Sequence, residues 1–435
     1  MSDASRRGRR GELAEALVLA AVFASSFTSL LDWPGWTTEI QPTEIIFILL
    51  LPTAIAAYGR RLWPAPRWSL ALGAYVIANL LAGFAAAAWP PIVESLGRGY
   101  LVALSGIVAC YVKEQGVRGV RRVALAWISG GVLLAAVSLA GYAYALAGID
   151  NSTVKVFTNY PYFGTVMRAA GFTVTPGMLV IVLGFPLLAA WTIEGGGRLR
   201  WAALVPIALA MALSLSKEVV LFAMGAALLH PAAARAGVRW KATAVALTAT
   251  VFWAGSHVVL LFNTPIQDSY LAGTPYTSGR VLANVGSVQV VETSYVALKR
   301  ANWALGLAHP LLGVGPGHSN VYLGRMKAEG LYPEGLPEYD PHSTWVGAFS
   351  ETGLLGLGTL AVMVASWGFF LSRRRLLSSS EAVLRSASMY LLILLVESVL
   401  VDAMNFRQLW IAIGLIMGTD REGVAAHRTP ARNEV

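Results

Sequence analysis

The sequence is poor in charged residues and in cysteine. Charged residues make up 13% of the 435 positions, whereas soluble globular proteins contain about 25%. The single cysteine, Cys110, lies in an apolar run, so neither a disulfide framework nor a metal site of several thiolates is possible. Apolar residues reach 56% and the mean hydropathy is +0.59. This composition excludes a disordered chain, a fibrous chain and an ordinary soluble enzyme, and it indicates a polytopic membrane protein.

Metal-binding patterns are also missing. The six histidines are scattered, no two of them have the His-x-x-x-His spacing, and no Asp-x-Asp pair occurs. Those spacings place two ligands on one side of an ion, and they are typical of many metal sites. The sequence therefore predicts no metal ion and no cofactor.

Long apolar segments recur along the whole chain. A transmembrane helix needs about 20 mostly apolar residues, and the runs here show no period-two alternation of a membrane barrel. We therefore predict an all-α, polytopic helical membrane protein with about twelve transmembrane helices. The predicted spans lie near residues 13–31, 43–58, 68–88, 95–112, 122–146, 174–192, 200–214, 217–230, 242–262, 342–371, 386–402 and 405–419.

The distribution of Lys and Arg gives this arrangement an orientation. Of the 33 Lys and Arg residues, 23 fall on one side of the twelve predicted helices, and the opposite loops at 32–42 and 89–94 contain none. Cytoplasmic loops carry such an excess, so both termini are predicted to be cytoplasmic. The Arg-rich start is interpreted as the flank of an uncleaved first span rather than as a signal peptide. The net charge of +9 then reflects topology, and no nucleic-acid partner is predicted.

The chain divides into four predicted parts. Residues 1–261 hold nine transmembrane helices, 262–341 form a large periplasmic loop, 342–419 hold the last three helices, and 420–435 form a cytoplasmic tail. A loop of this length is expected to contain helices of its own, and an apolar stripe predicts one over 290–309. An earlier outer loop offers polar residues that are candidates for contact with sugar or lipid, namely Lys155, Tyr160, Tyr162 and Arg168.

The segment that begins at Asp340 carries the most informative polar residues. Asp340 suits the N-cap of a helix and Pro341 suits its first position, which places His342 in the first turn. The positive helix end disfavours imidazolium, so a neutral His342 is suited to act as a general base. The alternative is an ordinary capped helix with an interfacial histidine. Glu351 is expected on the opposite side of the helix from His342, where it would bind a neighbouring polar group.

Two further carboxylates fall in or near an apolar span. A charged side chain at the centre of a membrane helix costs about 2.5–3.5 kcal/mol on insertion scales. Glu397 and Asp402 are therefore expected to be paired, and Arg98 and Arg407 are the candidate partners.

Three stretches resemble the motifs of the O-antigen ligase and polymerase superfamily. In that family a His-Asn pair precedes Glu-x-Gly at the start of a span, and here His342 and Ser343 occupy the pair. Arg300 and Trp303, followed by Pro-x-x-Gly-x-Gly, are similar to the family's Arg-x-x-Trp segment. Lys217 follows a serine where the family usually has Ser-Arg.

The resemblance implies a GT-C-like membrane glycosyltransferase that works without a metal. Its donor would be a glycan on undecaprenyl diphosphate, and its acceptor would be a sugar hydroxyl on the periplasmic side of the bacterial inner membrane. Cations would stabilise the diphosphate leaving group, and a histidine would take the acceptor proton. The assigned residues are His342 as the base, Lys217, Arg300 and Arg280 as diphosphate ligands, and Asp340, Glu351 and Trp303 as supporting residues.

Three functions remain open on the sequence. A ligase would transfer the glycan to lipid A–core, whereas an O-antigen or exopolysaccharide polymerase would use the end sugar of a second lipid-linked glycan. Both enzymes would meet the donor, an acceptor glycan and membrane lipids. A transporter or a flippase for lipid-linked glycans would instead place polar groups through the middle of the membrane. The notable polar residues here gather at one rim, which favours an enzyme, and the single large outer loop favours the ligase.

Overall fold

The chain is mostly helical. The computed structural model describes residues 3–28, 41–59, 66–160, 164–192, 197–230, 233, 237–262, 277–373 and 381–419, so the predicted cytoplasmic tail at 420–435 lies outside the described residues. The described helices are α1 (Asp3–Ala24), α2 (Pro42–Tyr58), α3 (Pro66–Ala85), α4 (Trp89–Gln115), α5 (Val117–Leu146), α6 (Pro176–Thr192), α7 (Gly197–Leu213), α8 (Glu218–Leu229), α9 (Val238–His257), α10 (Ser294–Ala308), α11 (Ser319–Ala328), α12 (Thr344–Arg373), α13 (Ala382–Glu397) and α14 (Arg407–Gly418).

Three of these helices, α4, α5 and α12, are long and apolar enough to cross a membrane. Five others are apolar but shorter, namely α2, most of α3, α6, α8 and α14. The 12 residues of α8 rise by about 18 Å, which is less than the hydrocarbon core of a bilayer. The architecture is compatible with a helical membrane protein, and the number of twelve spans stays a prediction.

Both of the loops that were predicted to be outer contain β-strands, so the prediction of an all-α fold is wrong for these segments. Strands β1 (Val154–Tyr160) and β2 (Gly164–Ala169) form an antiparallel pair. Strands β3 (Val258–Phe262), β4 (Thr277–Val285) and β5 (Val288–Thr293) form a second sheet in the order β3-β5-β4. These strands are rich in β-branched residues, which favour an extended backbone. Gly286 has a φ of 60° in the turn between β4 and β5, a conformation that glycine adopts without strain.

The helix predicted over 290–309 is therefore shorter than expected. Residues 288–293 form β5, which pairs with β3 on one side and β4 on the other, and α10 begins only at Ser294. Hydrogen bonding to two neighbouring strands satisfies the backbone of this segment, and its last three residues, Val291, Glu292 and Thr293, are buried. The chain changes direction between β5 and α10, and this change determines which way the charged residues of α10 face.

Aromatic side chains fill the centre of the helical bundle. Trp127 of α5 stacks on Phe185 of α6 with ring centres 4.1 Å apart, and Tyr390 of α13 packs edge-on against both. The ring of Phe222 of α8 occupies the space beside Gly184, where a Cβ atom would lie 2.1 Å from it. These contacts hold α5, α6, α8 and α13 in fixed relative positions.

Helix α12 is interrupted by a kink at Gly353. This residue has a φ of 65° and a ψ of −162°, which releases the neighbouring backbone groups from the helix. The amide of Leu354 donates to the carbonyl of Pro310 at 2.7 Å, and the amide of Gly315 donates to the carbonyl of Glu351 at 2.9 Å. The chain that follows α10 is thus hydrogen-bonded to the kink, so α10 is anchored to α12.

Candidate functional site

Lys217 lies in the short turn between α7 and α8. Its Nζ donates a hydrogen bond to the Oγ of Ser256, near the end of α9, at 2.7 Å. The same ammonium lies 5.4 Å from the ring centre of Phe252 and 5.5 Å from that of Tyr295, the second residue of α10. Ring faces attract a cation at such distances. The half-buried charge of Lys217 is therefore held where the end of α9 meets the start of α10.

His342 lies just before α12 rather than inside its first turn. Its φ of 47° is left-handed, so the chain cannot be helical there, and α12 begins at Thr344. Asp340 is therefore not the N-cap and Pro341 is not the first helical residue, which corrects both predictions. The Oγ of Ser343 accepts a hydrogen bond from the amide of Val346 at 3.4 Å and supplies the cap instead.

Asp340 contacts the imidazole of His342 directly. The Nδ1 of His342 lies 2.7 Å from a carboxylate oxygen of Asp340 and 2.9 Å from its backbone carbonyl. Both groups accept hydrogen bonds, so the proton stays on Nδ1, and Nε2 is the nitrogen that is able to accept a second proton. Asp340 thus fixes both the tautomer and the orientation of the ring.

The pKa of His342 shifts in the direction opposite to the one expected. Burial lowers the pKa of His342, but the hydrogen bond and the negative charge of Asp340 raise it further, so the net shift is above the usual 6.5. The positive charge of Lys217 opposes this rise. The direction of this shift is opposite to the one expected from a helix end. A raised pKa makes the neutral imidazole a stronger base, although the neutral form needs a higher pH.

Tyr295 joins His342 to Lys217. The imidazole of His342 stacks on Tyr295 with ring centres 5.0 Å apart, and on Tyr339 with ring centres 5.6 Å apart. Because Lys217 lies against the same Tyr295 ring, the candidate base and this cation share one aromatic neighbour. Of the three residues on which the sequence interpretation depends, His342 and Lys217 thus lie close together, and the third is Arg300.

Lys299 is a cation of this site that the sequence analysis missed. It follows Tyr295 by one turn of α10, and its Nζ donates to the carbonyl of Val399 at 3.0 Å and lies 3.4 Å from Nε2 of His257. Burial and the repulsion from Lys217 lower the pKa of Lys299 to about 8. Lys299 follows Tyr295 by four residues, and this spacing indicates that both lie on the same side of a helix. The spacing points to the site only when Tyr295 is already known to belong to it.

Arg168 brings a third cation from the loop between α5 and α6. It lies in β2, where its Nε donates to the carbonyl of Ser214 at 2.8 Å and its guanidinium lies 5.1 Å from the ring centre of Phe157. Ser214 precedes Lys217 by three residues, and the charges of Arg168 and Lys217 act on each other. Four separate segments of the chain thus contribute basic groups to the same region.

The hydrogen-bond partners of these cations are neutral, although the carboxylates of Glu218 and Glu397 also act on the charge of Lys217. Lys217 bonds to a hydroxyl, Lys299 to a carbonyl and an imidazole, and Arg168 to a carbonyl. Among the described residues none of the three forms an ion pair with a carboxylate, in contrast to Arg300, which does. Their positive charge is therefore available to an anion, whose interaction with them is strengthened by partial burial.

Arg300 and Arg280 lie at a different place from the one predicted. Both guanidinium groups contact the buried carboxylate of Glu292 in β5, at 2.7 Å from Arg300 and 3.8 Å from Arg280. By helical geometry Arg300 lies about 140° around α10 from Tyr295, whereas Lys299 lies only about 40° from it. Lys299 therefore faces Lys217 and His342, and the expected convergence of Arg300 with these two residues is wrong for this structure.

The predicted supporting residues fasten the surrounding helices. Glu351 is buried in α12 and accepts hydrogen bonds from Arg98 of α4 at 3.2 Å and from Ser319 of α11 at 3.1 Å. Trp303 of α10 packs on Phe349 of α12 with ring centres 4.8 Å apart. These contacts keep α10 and α12 together beside the cations, and neither side chain contacts His342.

The two carboxylates expected to be paired behave differently. Arg98 lies 3.7 Å from Asp402, which is one of the predicted pairings. Arg407 contacts Glu44 of α2 instead of a predicted partner. Glu397 is fully buried, and its two carboxylate oxygens have no hydrogen-bond partner within the described part of the protein. The expected pairing of Glu397 is thus wrong.

Comparison with known proteins adds no identity to this geometry, because the sequence matches no protein-family model and no curated protein. Across the described ranges, no group of three or more His, Cys, Asp or Glu residues is arranged to hold a metal ion. A functional assignment has to explain the observed arrangement of three cations beside the Asp340–His342 pair. The cations are Lys217, Lys299 and Arg168.

Proposed function

We propose that this protein is a membrane glycosyltransferase of the O-antigen ligase type. It transfers a glycan from undecaprenyl diphosphate to an acceptor sugar hydroxyl, with lipid A–core as the preferred acceptor. The observation that carries the proposal is that His342 and Lys217 both contact the ring of Tyr295, while the charge of Lys299, one helical turn further along α10, acts on that of Lys217. A candidate base beside a group of cations without carboxylate partners among the described residues suits a reaction that releases a diphosphate.

The proposed topology has twelve spans, cytoplasmic termini and a GT-C-like arrangement in the bacterial inner membrane, with this site on the periplasmic side. Four positions next to helix starts or ends are connected by contacts with one another or with α10, namely Lys217, His257, His342 and Val399. In the proposed topology, a transmembrane helix lies between each of these positions and the next Lys- and Arg-rich connection. The two therefore lie on opposite sides of the membrane, as the positive-inside rule requires.

The donor diphosphate binds to the cations. In the transition state the bond between the anomeric carbon and the diphosphate oxygen breaks, and the electron pair stays on the leaving group. Lys217, Lys299 and Arg168 stabilise this growing negative charge at the edge of the membrane, where the local dielectric is low. Lysine supplies a compact point charge and arginine a planar pair of donors, so the two residue types bind different phosphate oxygens.

The acceptor hydroxyl is activated by His342. Its oxygen forms the new bond to the anomeric carbon while Nε2 of His342 takes the proton, and Asp340 stabilises the resulting imidazolium through Nδ1. Attack opposite the leaving diphosphate is a single displacement, and it inverts the anomeric centre. The cations perform the charge stabilisation that a metal ion performs in other transferases.

The test is transfer by the purified full-length protein. The protein is mixed with a lipid-linked glycan and truncated lipid A–core in the presence of a metal chelator. Glycan on the core indicates a ligase, and longer glycans that remain on undecaprenyl diphosphate indicate a polymerase of the same type. Wild-type protein that produces neither, with both substrates inserted in the same detergent micelles, would contradict the proposal.

A pair of histidine variants separates catalysis from folding. His342→Ala removes the base and is expected to abolish transfer, whereas His309→Ala changes an exposed histidine of the same outer segment and is expected to retain it. Membrane insertion and thermal stability are measured for both variants. Equal turnover by His342→Ala and wild type would remove His342 from the mechanism.

A further inference from the structure

Helix α10 carries a stripe of residues at intervals of four. Tyr295, Lys299, Trp303 and Leu307 lie on successive turns, and each is rotated by about 40° from the one before. The stripe extends over about 18 Å, because 12 residues of helix rise by about 1.5 Å each. Its first two members belong to the site around Lys217, whereas its last two are apolar. Over these 12 residues the stripe winds about 120° around α10, and along this path it changes from cationic to apolar.

The apolar half of the stripe is exposed. Trp303 is 49% exposed and Leu307 is 63% exposed, and Leu311, which follows the helix, is 72% exposed. The ring of Trp303 contacts Phe349 at an angle of 48° and still remains about half exposed. Large apolar side chains that are exposed next to each other mark a surface that binds something apolar.

The stripe continues onto the exposed side of a membrane-spanning candidate. The carbonyl of Leu311 accepts a hydrogen bond from the amide of Leu355, and Leu354 beside it is exposed. Further along α12, Val362 and Phe369 are exposed as well, on a helix that is long and apolar enough to cross a membrane. The path from Lys299 therefore leads along α10 to a surface that suits hydrocarbon.

We propose that Trp303, Leu307 and Leu311 bind the polyprenyl chain of the donor and guide its diphosphate to Lys299. This inference rests on the proposed function and names the part of the substrate that this surface recognises. An amphiphile with a charged head and one long hydrocarbon chain matches a surface that is cationic at one end and apolar beyond it. A soluble protein partner does not, because the stripe continues into the exposed apolar side of α12.

The first test compares two donors with the same glycan, one on undecaprenyl diphosphate and one on geranyl diphosphate. The double variant Leu307→Gln, Leu311→Gln keeps helix propensity but weakens contact with a hydrocarbon chain. We expect its KM for the undecaprenyl donor to rise about tenfold with kcat unchanged, which corresponds to a loss of about 1.4 kcal/mol of contact between the hydrocarbon chain and two partly covered leucines. The KM for the geranyl donor should change less than twofold.

The control is Leu331→Gln, which alters an equally exposed leucine of the same outer segment away from the stripe. It should leave both KM values at the wild-type level. If the double variant raises KM equally for both donors, or lowers kcat for both, the leucines do not bind the chain and the inference is wrong.

The second test needs no glycan transfer. Undecaprenyl diphosphate with a benzophenone on its chain is irradiated with the full-length protein in nanodiscs, and the crosslinked peptide is identified. Crosslinks at 303–311 that unlabelled undecaprenyl diphosphate removes and phosphatidylglycerol does not remove support the inference. Equal removal by phosphatidylglycerol means that the stripe only contacts bulk lipid, which overturns it. Specific crosslinks in a protein that transfers no glycan would instead refute the proposed function alone.

Discussion

Neutralising Asp340 should move the pH dependence of glycan transfer to lower pH. In the proposed mechanism only the neutral form of His342 accepts the acceptor proton, so kcat/KM rises as the pH passes the pKa of this imidazole. Asp340 raises that pKa above 6.5, whereas burial and the charge of Lys217 lower it. Asp340→Asn removes the raising influence and leaves the two lowering ones. The neutral base is then present at a lower pH.

The size of the change follows from the geometry of the pair. An opposite charge within hydrogen-bond distance moves a titration by about 1–3 pH units. The side chain of Asp340 is 63% exposed, and water screens its charge, so the low end applies. We expect the acid limb of the profile to move by about one pH unit, which corresponds to about 1.4 kcal/mol. Asparagine keeps an oxygen that accepts from Nδ1, so the ring orientation is preserved and the plateau rate should fall only a few-fold.

The assay records kcat/KM for the lipid-linked donor across the neutral pH range, well to either side of the midpoint, in the wild type and in Asp340→Asn. Glu334→Gln is the control, because it neutralises another exposed carboxylate of the same loop and should leave the curve in place. An acid limb that stays at its wild-type position in Asp340→Asn, or that moves to higher pH, would refute the role of the Asp340–His342 pair.

Three other predictions concern the cations and the kink. The pKa of Lys299 is about 8, so its charge and the donor affinity should be lost above that pH; Lys299→Arg, which stays charged, should extend low donor KM values to higher pH. Lys217→Arg should retain more transfer than Lys217→Ala, and an equal loss in both would argue against a simple phosphate contact. Gly353→Ala introduces a Cβ 2.3 Å from backbone atoms at a positive φ and should lower the free energy of unfolding by more than about 2 kcal/mol in thermal denaturation. Gly358→Ala, in open space on the same helix, should change it by less than about 1 kcal/mol.

The helical, membrane-compatible architecture could be predicted because it depends on composition and on the length of apolar runs, both of which are properties of the sequence alone. The segment around His342 could also be found, since a histidine next to a helix start is a local pattern. Its conformation could not be predicted. The left-handed backbone of His342 and the start of α12 at Thr344 depend on bonds to residues that are distant in sequence. The amide of Thr344 donates to the carbonyl of Ser398 at 2.8 Å, and such contacts leave no local pattern.

The strands also could not be predicted, because they depend on residues that are distant in sequence. Residues 288–293 have apolar positions that fit a helix as well as a strand, and the choice is made by pairing with β3 and β4 on either side. In a continuous helix Glu292 and Arg300 would be separated by about 12 Å along the axis and would not pair. Because the chain instead turns between β5 and α10, the two groups are 2.7 Å apart. One error in secondary structure thus misplaces a predicted site residue.

Variants of the neighbouring residues Lys299 and Arg300 therefore test different properties of the protein. Arg300 neutralises Glu292, whose carboxylate also accepts a hydrogen bond from Ser278 at 3.0 Å and contacts Arg280. Replacing Arg300 leaves a buried carboxylate without its closest partner, a change that destabilises proteins whether or not the arginine ever meets a substrate. Lys299 bonds only to a carbonyl and an imidazole within the described part of the chain, so its removal strands no buried charge there. A rise in donor KM in a Lys299 variant consequently reports on anion binding directly, whereas the same result at Arg300 has a structural explanation.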